Sequence, residues 1–191
     1  MAEDQGDSAD SKGGVSVDLE GLLSAYGDRL LRSAYLLCGN ETEAQDLVQE
    51  TFLQALKSRH RFRGDSVVYT WLHGILRNLS RRHLRKQKRL VFEEELVHRE
   101  ASNPATANGG DDDFCAARLA QALQKISPEH REVIVLRYYE NLKIHEIAQQ
   151  TGVSNGTVKS RLFYAVRALQ QILPTEMNLF VPEGTYNQTT Q

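Results

Sequence analysis

Apolar residues recur along this chain at three- and four-residue steps, the spacing that lines one face of a helix. Leu19, Leu22, Leu23, Tyr26, Leu30 and Leu37 form the first stripe. It predicts a helix from about Asp18, a suitable N-cap, to Cys38, with Gly39 as its stop. A second helix is expected from just after Asn40 to about Lys57, burying Ala44, Leu47, Val48, Thr51, Phe52, Ala55 and Leu56. After a loop over 58–69, the stripe Trp71, Leu72, Ile75, Leu76, Leu79 and Leu84 predicts a long third helix over about 70–89. A later helix, Phe114 to Ile126, buries Leu119, Leu123 and Ile126, and Ser127-Pro128-Glu129 starts another that runs to about Tyr139. That start combines a hydroxyl cap, a proline at the first helical position, and acids at Glu129 and Glu132 facing the positive end of the helix dipole.

The most specific pattern is Leu142 to Leu169, LKIHEIAQQTGVSNGTVKSRLFYAVRAL. Ile144, Ile147 and Ala148 face inward, Gly152 suits a turn with positive φ, Val153 packs inward, and Ser154 caps the next helix. Val158, Leu162, Ala165 and Leu169 are that helix's buried stripe. The pattern is a helix-turn-helix, whose second helix can enter a major groove. Thr157, Ser160 and Arg161, with Lys159 beside them, lie on its exposed N-terminal arc and supply the short hydroxyls and long cations that base edges and phosphates require.

Polar and acidic stretches divide these helices into groups. The fold class expected is all-α: two small helical domains, 18–90 and 114–173, joined by a flexible acidic linker over 91–113, with the helix-turn-helix in the second. A disordered tail over 1–17 and a flexible tail over 174–191 complete the chain of 191 residues. No run approaches eighteen apolar residues, and the acidic N-terminus has no apolar stretch, so neither a membrane span nor a secretory signal is expected. Cys38 and Cys115 are far apart in helical patterns and read as reduced core residues of a cytoplasmic protein. No spacing of His, Cys or acids suggests a metal, and no cofactor is expected. The scattered histidines, His60, His73, His83, His98, His130 and His145, read as surface or packing residues.

Charge singles out one stretch. The whole chain carries −2, yet Lys57 to Arg89 holds eleven Lys and Arg against the single acid Asp65, a local charge of +10. Such a field attracts a polyanion, and the aromatics Tyr69 and Trp71 give flat surfaces on which an unstacked base could lie. From this stretch alone a solvated basic helix with Trp71 in the core fits as well. The outer face of the second helix, with Glu43, Asp46, Gln49 and Glu50, reads equally as a plain solvated face or as an interface.

Taken together, DLVQETFLQALK (46–57), FRGDSVVYTWLHGILRNLSRRHLRK (62–86), SPEHREVIVLRYYENL (127–142) and EIAQQTGVSNGTVKSRL (146–162) resemble a bacterial sigma factor of the sigma-70 family, extracytoplasmic-function (ECF) group. The resemblance covers roughly 19–90 and 114–172. It implies a protein that binds core RNA polymerase, directs it to promoters and helps melt the −10 region, with no catalysis of its own. Asp46, Gln49 and Glu50 would dock on the clamp helices of the beta-prime subunit, with the beta flap as a further partner. Arg63, Gly64, Asp65, Ser66, Tyr69 and Trp71 would hold a flipped base of the −10 element, while Arg77, Asn78, Arg81 and Arg82 follow the strand backbone. Thr157, Lys159, Ser160 and Arg161 would face the −35 element as duplex. An anti-sigma factor is also implied as a partner. The sequence departs from the family at Lys143, where a Ser or Thr cap is usual, and at Tyr164 and Val166, where basic residues are common. Phe163 is expected to pack rather than touch DNA, and the segment 91–113 stands where region three would be.

Two other readings compete with this one. A stand-alone helix-turn-helix regulator would share the second unit but has no need of the basic, aromatic stretch 62–89. An enzyme acting on nucleic acid would need a P-loop, an acidic pair beside a basic pocket, or a nucleophile constellation, and the sequence offers none of these.

Overall fold

The structure, a computed structural model, describes residues 19–59, 68–95 and 111–173, with side chains over 20–59, 68–89 and 117–173. Arg63, Gly64, Asp65 and Ser66, the candidate N-cap Asp18, both tails and most of the linker lie outside these residues.

Every element among the described residues is helical: α1 Leu19–Cys38, α2 Glu41–Ser58, α3 Val68–Glu95, α4 Asp111–Gln124, α5 Pro128–Ile134, a π-helical turn Val135–Tyr139 continuing α5, α6 Ile144–Thr151 and α7 Asn155–Ile172. Gly39, at φ +78°, ends α1, and the Asn40 side chain accepts from Glu43 N at 3.0 Å to start α2. Ser127 Oγ accepts from His130 N, Gly152 turns at φ +73°, and Ser154 Oγ accepts from Thr157 N at 3.1 Å. Lys143 supplies no side-chain cap to α6, as its chemistry requires. Glu146 instead accepts the Lys143 backbone N–H at 2.6 Å, which is half of a capping box.

Helix α3 runs from Val68 to Glu95, longer at both ends than the 70–89 its apolar stripe predicts. Between Arg89 and Glu95 there is no Gly or Pro, and three successive glutamates favour helix, so nothing stops it there. Helix α4 likewise starts early, at Asp111, where three aspartates complement the dipole.

Two apolar clusters form. Leu30, Ala34, Leu47, Phe52, Leu72, Leu76 and Leu79 centre the core of α1–α3, and Leu123, Val133, Leu136, Ile147, Val158, Leu162 and Leu169 that of α4–α7. Each large side chain so buried contributes about 1.5–3 kcal/mol. Leu23 and Leu56, expected inside, are exposed; both lie where α1 begins and α2 ends, at the margin of the three-helix core.

The two units are packed together rather than held apart. Leu37, near the end of α1, is buried in the core of α4–α7, not in that of its own unit. Arg131 of α5 is buried and donates to carbonyls of Leu37, Leu123, Gln124 and Ile126, tying the ends of α1 and α4 to one guanidinium. Burial lowers its pKa to about 10, so it stays charged at neutral pH. Gly39 belongs to this junction too: a Cβ there would lie 2.4 Å from Gln124 Cγ.

Candidate nucleic-acid interface

In α7 the four candidate residues follow directly from the cap. Ser154 and Thr157 share a hydroxyl–hydroxyl bond of 2.9 Å, and Ser160 Oγ donates to Thr157 O at 3.0 Å. Lys159 and Ser160 are exposed; Thr157 and Arg161 are partly covered. The inner stripe Val158, Leu162, Ala165, Leu169 is buried as expected, so the opposite face is presented rigidly. Val166 is 8% exposed and belongs to the core. It is therefore not a position where a phosphate contact has been lost, as its place in the family pattern suggests. Phe163 and Tyr164 are exposed, in edge-to-face contact at 5.4 Å, with Arg167 over the Phe163 ring.

Helix α3 divides its cations between two environments. Asn78, Arg81, Arg82, Arg85, Lys86 and Arg89 line one open groove along the helix. Such a row suits a sugar–phosphate backbone, because each cation can meet one phosphate. Arg77 is only 9% exposed, donates to the Gln150 carbonyl of α6, and lies with its Nε 3.6 Å from Glu132 Oε1. Burial pulls its pKa down, opposed by the Glu132 carboxylate. Arg81 donates twice to Glu132 Oε2, at 3.1 and 2.6 Å. Tyr69 is buried, with its hydroxyl donating to Glu140 Oε1 at 2.7 Å. Its phenol pKa is raised, first by burial and then by that bond. In this arrangement Tyr69 is not a surface platform. Trp71 is half-buried against the α1–α3 core.

On α2, Asp46 and Gln49 are exposed and Glu50 half-buried, on one face at the i, i+3, i+4 spacing. Leu53, half exposed, continues that row and so sets an apolar contact beside the polar ones. Its spacing from Gln49 and Glu50 was the signal for it in the sequence. Glu132 and Glu140 were harder to find. Glu132 reads as a dipole-facing acid, and nothing in the sequence around Glu140 shows that it is buried against the other unit.

A cleft of about 390 Å³ separates α3 from the helix-turn-helix, lined by Arg77, Arg81, Arg85 and Lys88 on one side and by Glu129, Glu132 and Arg161 on the other. Among the described residues there is no cluster of His, Cys or acids able to hold a metal, and no helix long and apolar enough to cross a membrane. The class so defined is an all-helical protein with a cationic helix in one unit and a groove-reading helix in the other.

Comparison with known proteins assigns that class. Residues 22–90 match the family model for Sigma-70 region 2, and residues 122–171 that for Sigma-70 region 4. The chain is 32% identical to the RNA polymerase sigma factor SigV of Bacillus subtilis over 76% of its own length and 84% of that protein. It is 35% identical to the ECF RNA polymerase sigma factor SigL of Mycobacterium tuberculosis, over 81% of its length and 88% of that protein. Among solved structures it is similar to the sigma factor RpoE of Bartonella quintana in complex with the anti-sigma factor NepR, with a TM-score of 0.64, 30% identity, and 81% and 96% of the two chains covered. It is also similar to CnrH in complex with the cytosolic domain of CnrY, with a TM-score of 0.59, 26% identity, and 80% and 85% covered. The chain belongs to the sigma-70 family of RNA polymerase sigma factors, in its ECF group.

Proposed function

We propose that this chain directs core RNA polymerase to promoters by dividing recognition between its two units. The observation that carries this is the presence of both family regions in one chain, each with its nucleic-acid chemistry in place: the cationic groove of α3 and the capped, exposed arc at the start of α7. Thr157, Lys159, Ser160 and Arg161 read the −35 element as duplex, where hydroxyls and a guanidinium can meet base edges and phosphates. Arg77, Asn78, Arg81 and Arg82 hold the backbone of the separated −10 strand. The residues Arg63, Gly64, Asp65 and Ser66, with Tyr69 and Trp71, take its extruded base. Unstacking a base costs a few kcal/mol, which these contacts and the polymerase supply. Asp46, Gln49 and Glu50, with Leu53, form the polymerase-facing side of α2. Tethering both sites raises the effective concentration at the second once the first is engaged. The chain makes and breaks no covalent bond, works in the cytoplasm, and is held inactive by an anti-sigma factor of the kind that accompanies its structural relatives.

Run-off transcription with core RNA polymerase, with start-site mapping and permanganate footprinting, tests this reading. Defined start sites with reactive thymines near −10 are expected. Tight binding to duplex DNA without specific initiation would favour a stand-alone regulator instead.

A further inference from the structure

Glu132 and Glu140 are the acids that meet the cations of the first unit, and both belong to the second. Glu140 has a side chain 3% exposed, and all its side-chain partners are across the seam: Tyr69 at 2.7 Å, Arg29 at 2.8 Å and His73 at 3.5 Å. Its backbone is set by two irregularities in succession, the π-helical turn Val135–Tyr139 and Asn141 at φ +55°. A non-glycine residue with positive φ and a π-turn both depart from regular helix, and here they bracket the carboxylate that crosses the seam. Glu132 sits one helix away and holds Arg81 and faces Arg77.

We propose that the second unit silences the first: Glu132 and Glu140 occupy the side of α3 that a DNA strand must reach, and the chain opens along this seam before it can bind the strand. The proposal rests on the assignment of Arg77 and Arg81 to the −10 strand. Three observations support it. The cleft between α3 and α7 is ligand-sized, while a major groove alone is about 12 Å wide, so the two reading elements cannot both hold nucleic acid while facing each other across it. The seam is built chiefly from carboxylate–cation pairs, which suits a contact made and broken within one chain. It is also incompletely satisfied: Arg77 Nε and Glu132 Oε1 are buried, face each other at 3.6 Å, and have no hydrogen-bond partner. A phosphate oxygen would satisfy Arg77 better than Glu132 does, so strand and seam compete for the same guanidinium.

The full chain without polymerase gives the test. Binding to a fluorescent single-stranded dT20 oligonucleotide is measured by anisotropy, and the radius of gyration by X-ray scattering. Glu132→Gln with Glu140→Gln keeps side-chain size and removes the seam's charge. It is expected to enlarge the radius and tighten dT20 binding about ten-fold, which is about 1.4 kcal/mol of closed-state preference removed. Asp28→Asn with Glu41→Gln removes the same charge from exposed positions and corrects for net charge alone. Arg29→Glu gives an independent check, since Arg29 is half exposed and lies outside the DNA and polymerase sites. It places like charge beside Glu140, so it should also open the chain and tighten binding although it makes the protein more acidic. If both variants keep the parent's radius and bind within two-fold of their controls, the proposal is overturned. Arg81→Ala separates it from the assignment beneath it. Unchanged binding in the seam variants, with Arg81→Ala still crippling run-off transcription, overturns the seam alone. Tightened binding that Arg81→Ala does not reduce overturns both.

Discussion

The second unit presents its reading surface, and the first keeps part of its own covered. In α7, Lys159 and Ser160 stand in solvent on a helix whose start is fixed by Ser154 and whose back is fixed by Val158 and Leu162. In α3, Arg77 and Arg81 are tied to Glu132, and Tyr69 to Glu140. Both helices are cationic in sequence. What separates them is pairing across the fold, and a buried pair is a different object from a solvated charge, because removing one partner leaves the other desolvated. The contrast teaches that a run of arginines marks which surface attracts a polyanion, while the packing decides when that surface is available.

The strongest way to break this comparison is to weaken one unit and watch the other. Ile147 is fully buried in the second core, and Ile147→Ala should cost about 2–5 kcal/mol there. Trp71 is the chain's single tryptophan and packs on the first core, so its fluorescence reports on α1–α3. In urea, the variant should lose part of its far-UV circular dichroism first and the Trp71 signal later. Coincident transitions would mean that the units form one cooperative block and that the seam is no separable contact.

Arg161→Ala sharpens the comparison from the DNA side. It should cost about 1–3 kcal/mol in discrimination at the −35 element if the guanidinium reaches a base edge. Binding to wild-type and single-substituted −35 duplexes with the holoenzyme measures this. A loss equal for all sequences would make Arg161 a phosphate contact only.

Most of the helices, and nearly all their caps, were legible in the sequence because they depend on neighbours. Ser127, Asn40, Ser154, Gly39 and Gly152 each act within a few residues of themselves, and each does what its side chain or φ predicts. The stripes of α2 and α7 were legible for the same reason, apart from Leu56 at a margin of the core. The seam was not. Leu37 fits the stripe of its own helix yet is buried in the other unit, and Arg77 reads as an outward cation yet lies under α6. Sequence distance explains this: Glu140 is 71 residues from Tyr69 and 111 from Arg29, and no periodicity connects them. The acidic linker drew attention as a shield for the basic helix, and the acids that meet Arg77 and Arg81 are instead inside the second unit.

Gly152 isolates a purely local term. It has φ +73°, and a Cβ built there meets nothing within 4 Å, so Gly152→Ala carries backbone strain without a clash. The expected loss is about 1–2 kcal/mol, read as a lower melting temperature with the fold retained. A loss well above that range would show that the turn between α6 and α7 must deform further than its own φ requires.

The smallest effect expected lies at the seam itself. His73 is buried, with Ser33 Oγ at 2.9 Å, the Glu140 carboxylate at 3.5 Å, the Tyr69 ring beside it, and Arg77 and Arg29 nearby. Burial lowers its pKa below the ordinary 6.5; Glu140 opposes the shift, and the two arginines add to it. The unfolded chain therefore takes a proton that the folded chain refuses. Stability from this group is fully present above about pH 6.5 and is lost as pH falls from there toward the folded value, by less than about 1 kcal/mol at pH 6. Melting temperatures of the parent and His73→Gln, compared between pH 7.5 and 5.5, should show the steeper fall in the parent. Equal slopes would mean that another group accounts for the fall and that His73 takes its proton in the folded chain as easily as in the unfolded one. Because its carboxylate neighbour comes from the second unit and its hydroxyl neighbour from the first, the same titration reports on contact between the two.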